Sequence, residues 1–257
     1  MKENGVQTID RTFDIIELLS AAPNGMGVTE IGKKLGLHKS TVYRLINALV
    51  RRGYLEKEQN TGLYRIGLKF VEISGLYLQQ IEMKTEAVPF MRQLSEQTGQ
   101  VTHLAILDET EVVYIEKIDV MQSLRMYSQI GKRIPVHCSA LGKVLLSAQN
   151  NVSLENTLKK IKFTRFTENT ITDAAEFRKE IEKARQKGWA ADNEEHEKGI
   201  RCIAAPIRDF TGKVIAALSI TGSRNIITPE KDDYYGKLVM EAADNISKRL
   251  GFTRKVD

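Results

Sequence analysis

Cysteine is nearly missing from this sequence. Two residues, Cys138 and Cys202, cannot build a disulfide framework, and a reducing cytoplasm is the expected compartment. No apolar run approaches the roughly 20 residues that span a bilayer, so a membrane partner is not expected. The opening MKENGVQTID has no apolar core of a secretory signal. Repeats and low-complexity tracts are absent. Neither G-x-S-x-G nor H-E-x-x-H occurs. Ala140-Leu141-Gly142-Lys143 lacks the upstream glycine of a phosphate-binding P-loop. His137, Cys138, His196 and Cys202 do not have zinc-site spacing, so neither a metal nor another cofactor is expected.

What is present is ample for folding. Hydrophobic residues make up 42% and charged residues 28%, which supports a core and excludes disorder as the main state. At roughly 100–200 residues per domain, 257 residues make one large domain or two small ones. The net charge of +5 is mild, but it is unevenly spread. Residues 1–65 carry 10 Lys and Arg against 7 Asp and Glu; the rest carry 28 against 26.

The first 66 residues read as three helices and a hairpin. The first helix has Asp10 as its expected cap and Phe13, Ile16 and Leu18-Leu19 at helical spacing. Pro23-Asn24-Gly25 ends it. A short helix from Thr29 to Leu35 points Ile31 and Leu35 inward and closes at Gly36-Leu37-His38. A third runs from Lys39 to Arg52, stopped by Gly53. Residues 54–57 and 63–66 are predicted strands turned by Asn60-Thr61-Gly62. Residues 67–83 are apolar on several sides, as a connecting helix between domains or subunits would be. Beyond 84, helices are predicted at 85–98, 140–148, 173–187 and 229–250. Strands are predicted at 101–107, 112–118, 124–129, 202–208 and 214–221. Consecutive hairpin-type strands flanked by helices predict an α/β sandwich on an antiparallel sheet.

Two helices joined by a short glycine turn form a helix-turn-helix unit. In its second helix Val42, Leu45, Ile46 and Leu49 make one apolar stripe. Ser40, Arg44, Asn47 and Arg51 lie on another face, where guanidinium and amide groups suit base edges and phosphates. The helix start at His38-Lys39-Ser40-Thr41 can meet phosphates through its free N–H groups. Lys57, Tyr64 and Arg65 make the hairpin a candidate wing. With Thr29 and Tyr43, the expected set facing double-stranded DNA is Thr29, His38, Lys39, Ser40, Thr41, Tyr43, Arg44, Asn47, Arg51, Tyr64 and Arg65.

The stretch TEIGKKLGLHKSTVYRLINALVRRGYLEKEQNTGLYRIG resembles the DNA-binding domain of the IclR family of bacterial transcription regulators. RIPVHCSALGKVLL (133–146) and ADNEEHEKGIRCIAAPIRDFTGKVIAALSITG (191–222) resemble that family's effector domain. The resemblance implies an α+β protein with three parts: a winged helix-turn-helix at 1–66, a linker helix at 67–83, and a GAF-like effector-binding domain with a mainly antiparallel sheet at 84–257. It also implies a homodimer or dimer of dimers and control of catabolic genes. The family's effector motif often carries Ala or Gly where Leu141 stands here, so Leu141 narrows its surroundings.

A second candidate site lies in the C-terminal part. Ser139, Ala140 and Leu141 open a helix whose N–H groups can hold a carboxylate. Asp192, Cys202, Ser219 and Thr221 are the polar candidates; Ser219 and Thr221 share a face of one strand. Met126, Ile134 and Ile200 are candidate apolar walls, and by the family resemblance these same positions line the effector pocket. The hydroxyl- and N–H-rich set suits a small carboxylate or sugar acid. Glu194 and Glu195 are expected in a solvated acidic loop or a structural contact across domains rather than as general acid/base carboxylates, and Trp189, Tyr114 and Tyr127 as core or interface aromatics. The expected function is a ligand-responsive, DNA-binding repressor of a catabolic operon. Two alternatives remain: an enzyme using Cys138 or Cys202 as a nucleophile, and an assembly adaptor using the winged helix for protein contacts.

Overall fold

The structure, a computed structural model, describes residues 7–73, 82–120 and 128–253. The chain divides into two compact units, Met1–Gln80 and Ile81–Asp257.

In the first unit α1 (Gln7–Ser20), α2 (Val28–Leu35) and α3 (Lys39–Arg51) precede a hairpin of β1 (Leu55–Lys57) and β2 (Tyr64–Ile66). Gly36 ends α2 in the left-handed region at φ 65°, where a side chain would be strained. The core gathers Ile15 and Leu19 of α1, Ile31 of α2, the α3 stripe Val42, Leu45, Ile46 and Leu49, and Leu55 and Tyr64 of the hairpin. Two expectations change. Ile15 and Leu19, four apart, are the buried pair of α1, while Phe13 is 57% exposed. Asp10 lies inside the first turn of α1 rather than at its cap. Of the connecting helix expected at 67–83, residues 69–73 are helical, 67 and 68 are not, 74–81 lie outside the described residues, and 82 and 83 belong to the helix that opens the second unit.

The second unit opens with α4 (Glu82–Thr98) and the strands β3 (Val101–Asp108), β4 (Glu111–Ile118) and β5 (Arg133–Pro135). Three helices follow, α5 (Ala140–Ser147), α6 (Asn151–Lys160) and α7 (Ala174–Lys187). Then come β6 (Ala190–Asn193), β7 (Ile200–Arg208), β8 (Val214–Ser223) and α8 (Asp232–Arg249). The strands form one antiparallel sheet in the order β5-β4-β3-β8-β7-β6. Thr102 donates its hydroxyl to the Met91 carbonyl of α4, which sets one face of β3 against that helix. The opposite face presents Ala105, Ala204 and Ala217 to a core shared with Val144, Leu145 and Leu146 of α5, Leu154 and Leu158 of α6, and Phe177 and Ile181 of α7. Small alanines there let α5 approach the strands closely.

The edge strands differ from expectation. Residues 124–127 of the predicted strand lie outside the described residues, and Ser128 and Gln129 are not in a strand. The edge beside β4 is instead β5, three residues ending in Pro135, which an edge tolerates. On the other edge β6 has the sequence AADN, whose Asp and Asn disfavour strands. Pairing with β7 imposes the extended form. Helix α6 was not foreseen either; Asn150 caps it by accepting from Ser153 N–H at 2.9 Å.

Candidate functional site

Helix α3 has two chemically distinct sides. Its apolar stripe is buried, while Ser40, Arg44 and Arg51 are exposed and Asn47 is half-buried. Its 13 residues make a rod of about 20 Å, long enough to lie in a major groove. His38 takes the N-cap position with extended backbone and makes no side-chain cap bond. The N–H groups of Lys39 and Ser40 therefore face outward without helical acceptors. Thr29, Lys39 and Tyr43 are exposed, Thr41 is half-buried, and Arg65 lies on the wing beside Glu56 at 3.6 Å. Tyr64 departs from expectation. It is 4% exposed, because β2 turns its ring into the core, where the Lys57 ammonium sits 5.7 Å above it. The wing's available cations are Lys57 and Arg65.

The second unit contains a cleft enclosing about 540 Å³ of atom-free space, part of it open to solvent. Its floor follows from strand register. Asp192 of β6 stands opposite Cys202 of β7, which stands opposite Thr221 of β8. Directly opposed residues put their side chains on one face. Ser219 lies two pairs further along, and so on the same face, opposite His103 of β3. Thr221 Oγ1 is 3.3 Å from both Cys202 Sγ and His103 Nδ1, and His103 Nε2 is 2.9 Å from Ser128 Oγ. Ser219 Oγ is buried and has no hydrogen-bond partner.

One wall is the start of α5. Ser139 caps it, accepting weakly from Gly142 N–H at 3.4 Å. The N–H groups of Ala140 and Leu141 have no acceptor within the helix. Gly142 is required here: a Cβ would fall 2.3 Å from the Val136 carbonyl oxygen. That close approach holds the helix start against the preceding turn and fixes its N–H groups.

Beneath the floor lies a buried ion pair. Lys143 Nζ is 2.6 Å from Glu195 Oε1 and donates to the Ala191 carbonyl at 2.8 Å. Glu195 N–H donates to Asp192 Oδ1 at 2.7 Å. Burial and the neighbouring Glu195 carboxylate raise Asp192 to about 7. Burial holds His103 neutral, down to about 3, stacked on Tyr114 at 4.6 Å. Both thiols are pushed up by burial, Cys202 well above its usual value, so neither is a ready nucleophile at neutral pH.

Of the sequence-predicted set, Ile134, Ser139, Leu141, Asp192, Ile200, Cys202, Ser219 and Thr221 line this cleft. Ala140 is 1% exposed; its methyl belongs to the core, and only its N–H can serve a ligand. Met126 and Tyr127 lie outside the described residues. Tyr114, Ser128, Lys132, Cys138, His196 and Glu197 also line the cleft and were not assigned to it from sequence. Glu194 and Glu195 are 8% and 5% exposed, not solvated. Glu194 is held by Gly199 N–H at 2.7 Å and Arg224 at 2.9 Å, because residues 194–199 fold back onto β8. Lys143 was overlooked too; a lone cation in the apolar run ALGKVLL was the available signal. No group of three His, Cys, Asp or Glu among the described residues is arranged to hold a metal ion. No helix among them is long and apolar enough to cross a membrane.

Residues 8–59 match the IclR helix-turn-helix domain, and residues 75–248 match the bacterial transcriptional regulator IclR C-terminal domain. The chain is 37% identical over 249 residues to the HTH-type transcriptional regulator KdgR of Dickeya chrysanthemi, covering 97% of this chain and 81% of that protein. The fold aligns with the crystal structure of Thermotoga maritima IclR at a TM-score of 0.83 and 31% identity, over 96% of this chain and 100% of that one. It aligns equally, at 0.83 and 26% identity, with an IclR homologue from Microbacterium hydrocarbonoxydans complexed with 4-hydroxybenzoate, over 95% and 98% of the two chains. These relatives are regulators, which leaves the thiol-enzyme alternative without support. A groove-sized polar helix on a winged domain, and a cleft rich in hydrogen-bonding groups behind it in sequence, are together the two halves of a transcription regulator, and this chain belongs to the IclR family.

Proposed function

We propose that the protein is a cytoplasmic repressor of a catabolic operon, released or tightened on DNA by a small carboxylate or sugar acid held in the cleft of the second unit. The observation that carries this reading is the convergence on one cleft of two free N–H groups at the start of α5, the row Asp192, Cys202 and Thr221, and the unpartnered Ser219 hydroxyl. A 4-hydroxybenzoate complex of a structurally similar relative supports a carboxylate as the ligand class. In this reading Ser139, Ala140 and Leu141 bind the carboxylate, and Ile134 and Ile200 pack its carbon skeleton.

In the first unit Arg44 and Asn47 reach base edges, with Ser40, Thr41, Arg51 and the N-terminus of α3 on phosphates. Thr29, His38, Lys39, Tyr43 and Arg65 flank the groove. One winged helix covers too little DNA for high specificity, so two copies read a two-fold operator. Exposed apolar residues in the first unit, Ile9, Phe13 and Leu68, supply material for pairing copies as a dimer or dimer of dimers. The ligand shifts the balance between two arrangements of the DNA-binding units only to the extent that it binds them unequally.

A thermal-shift screen of small carboxylates, sugar acids and aromatic acids tests the ligand. A binder at 100 times its Kd stabilises by about 2.7 kcal/mol. A hit that also changes operator affinity supports the proposal. A panel without hits, together with operator binding indifferent to every acid, refutes the ligand class and leaves the DNA-binding assignment standing.

A further inference from the structure

At and beneath the floor of the cleft, one buried cation stands near two carboxyl groups. Lys143 is committed to Glu195 and the Ala191 carbonyl, with its side chain 1% exposed. Asp192, 4% exposed, receives the Glu195 N–H and a hydrogen bond from the Cys202 thiol, both uncharged donors, and feels the Lys143 ammonium only at a distance, since that cation is bonded to Glu195. Glu195 Oε2 is buried without a partner. The other groups around Asp192 do not settle the imbalance. From β7 and the turn before α5 come the thiols of Cys202 and Cys138, both held protonated by burial. From β3 comes His103, held neutral, and from β4 the Tyr114 phenol. The residues after β6 add His196, whose imidazole burial keeps neutral, and the acid Glu197. His137, before α5, is likewise disfavoured as a cation. Lys132 stands at the cleft wall, half-exposed and outside the buried cluster; its charge helps to hold His103 and His196 neutral.

With both carboxyls ionised the buried cluster is already one negative charge in excess. A carboxylate seated on the N–H groups of Ala140 and Leu141 adds a second. Placing uncompensated like charges together in a buried site costs far more than adding a proton to one of them. Asp192 is the group positioned to take it, since Glu195 keeps its ion pair. Resting on the effector reading above, we propose that an anionic effector enters together with one proton taken from solvent by Asp192. The resulting carboxylic acid then donates a hydrogen bond to an acceptor oxygen of the ligand. The site thus selects acceptor-rich acids, such as 2-oxo or polyhydroxy carboxylates, over amines. It also makes the effector response depend on pH.

The test uses the full-length protein and two probes, pyruvate and D-gluconate. Calorimetric titrations in phosphate and in Tris, buffers of different ionisation heat, count protons taken up on binding between about pH 6 and pH 8.5. Uptake should approach one proton at the alkaline end and fall toward zero at the acid end. Above neutrality Kd should rise by up to tenfold per pH unit. Asp192→Asn, a permanently neutral donor of the same shape, should bind with a flat pH profile and no uptake. Binding by the wild type with no proton uptake and a flat profile overturns the inference, as does an Asp192→Asn protein that keeps the wild-type pH dependence. Carboxyl ¹³C NMR of the ligand-free protein separates the two readings. If neither probe binds while Asp192 titrates near neutrality, the ligand class fails and the buried proton stands. If Asp192 titrates in the ordinary carboxylate range, the inference fails whatever binds.

Discussion

Replacing Lys143 by Met isolates the buried pair that underlies the cleft. Met matches the length of the lysine stem and brings no charge, so packing along α5 is largely kept. What changes is that Glu195 and Asp192, 5% and 4% exposed, face each other's charge without the cation now 2.6 Å from Glu195. Removing one partner of a buried ion pair costs about 3–5 kcal/mol. In a domain of this size each kcal/mol lowers Tm by about 2–4 °C, so the second unit should melt roughly 6–20 °C lower. Differential scanning calorimetry at pH 7 reads this directly. At about pH 5 the loss should shrink, because the carboxyls left without a cation can protonate. The double variant Lys143→Met with Glu195→Gln should recover much of the loss, since no unpaired ion remains. A single variant that loses less than about 1 kcal/mol, or a double variant worse than the sum of its parts, would refute the argument.

Other consequences follow from single contacts. Arg44→Ala should weaken operator binding by about 1–3 kcal/mol and leave ligand binding intact; fluorescence anisotropy with a labelled operator measures it, and unchanged affinity removes Arg44 from the interface. Tyr64→Phe should keep operator affinity because the ring serves the core; a loss of about 1 kcal/mol or more returns its hydroxyl to the DNA. Gly142→Ala drives a Cβ to 2.3 Å from the Val136 carbonyl oxygen, so urea unfolding should show at least about 1–3 kcal/mol of destabilisation and ligand binding should weaken with it. Asp192 is raised from 3.8 to about 7 by folding. Its contribution is therefore fully present below about pH 4 and lost as pH rises through 7. Asp192→Asn should accordingly gain stability relative to wild type between pH 5 and pH 8, and an unchanged difference across that range counts against the shift.

Much of this protein is legible in local pattern. The stripe Val42, Leu45, Ile46 and Leu49 identifies α3 and its buried side, because a 3.6-residue period leaves one way to hide four apolar side chains. Gly36 and Gly188 mark helix ends by the left-handed backbone they adopt. The consecutive apolar runs at β3, β4, β7 and β8, joined by short turns, announce an antiparallel sheet, and Cys202, Ser219 and Thr221 were recognisable as polar groups inside apolar strands. Short edge strands were not legible, because β5 and β6 carry weak strand propensity and exist through pairing with β4 and β7. Nor was the side to which Tyr64 turns, since a three-residue strand gives too little alternation to set a face.

Sequence alone therefore determined the helix-turn-helix, the two-sidedness of its recognition helix and the residue types available for an anionic ligand. Those depend on neighbours three or four positions away. Tertiary structure alone decided that Lys143 meets Glu195, 52 residues later, and that Asp192 shares their burial without a cation. A charge's partner and its solvation depend on which distant segments fold over it, and only the sheet register and the close seat of Gly142 on the Val136 turn bring those segments together.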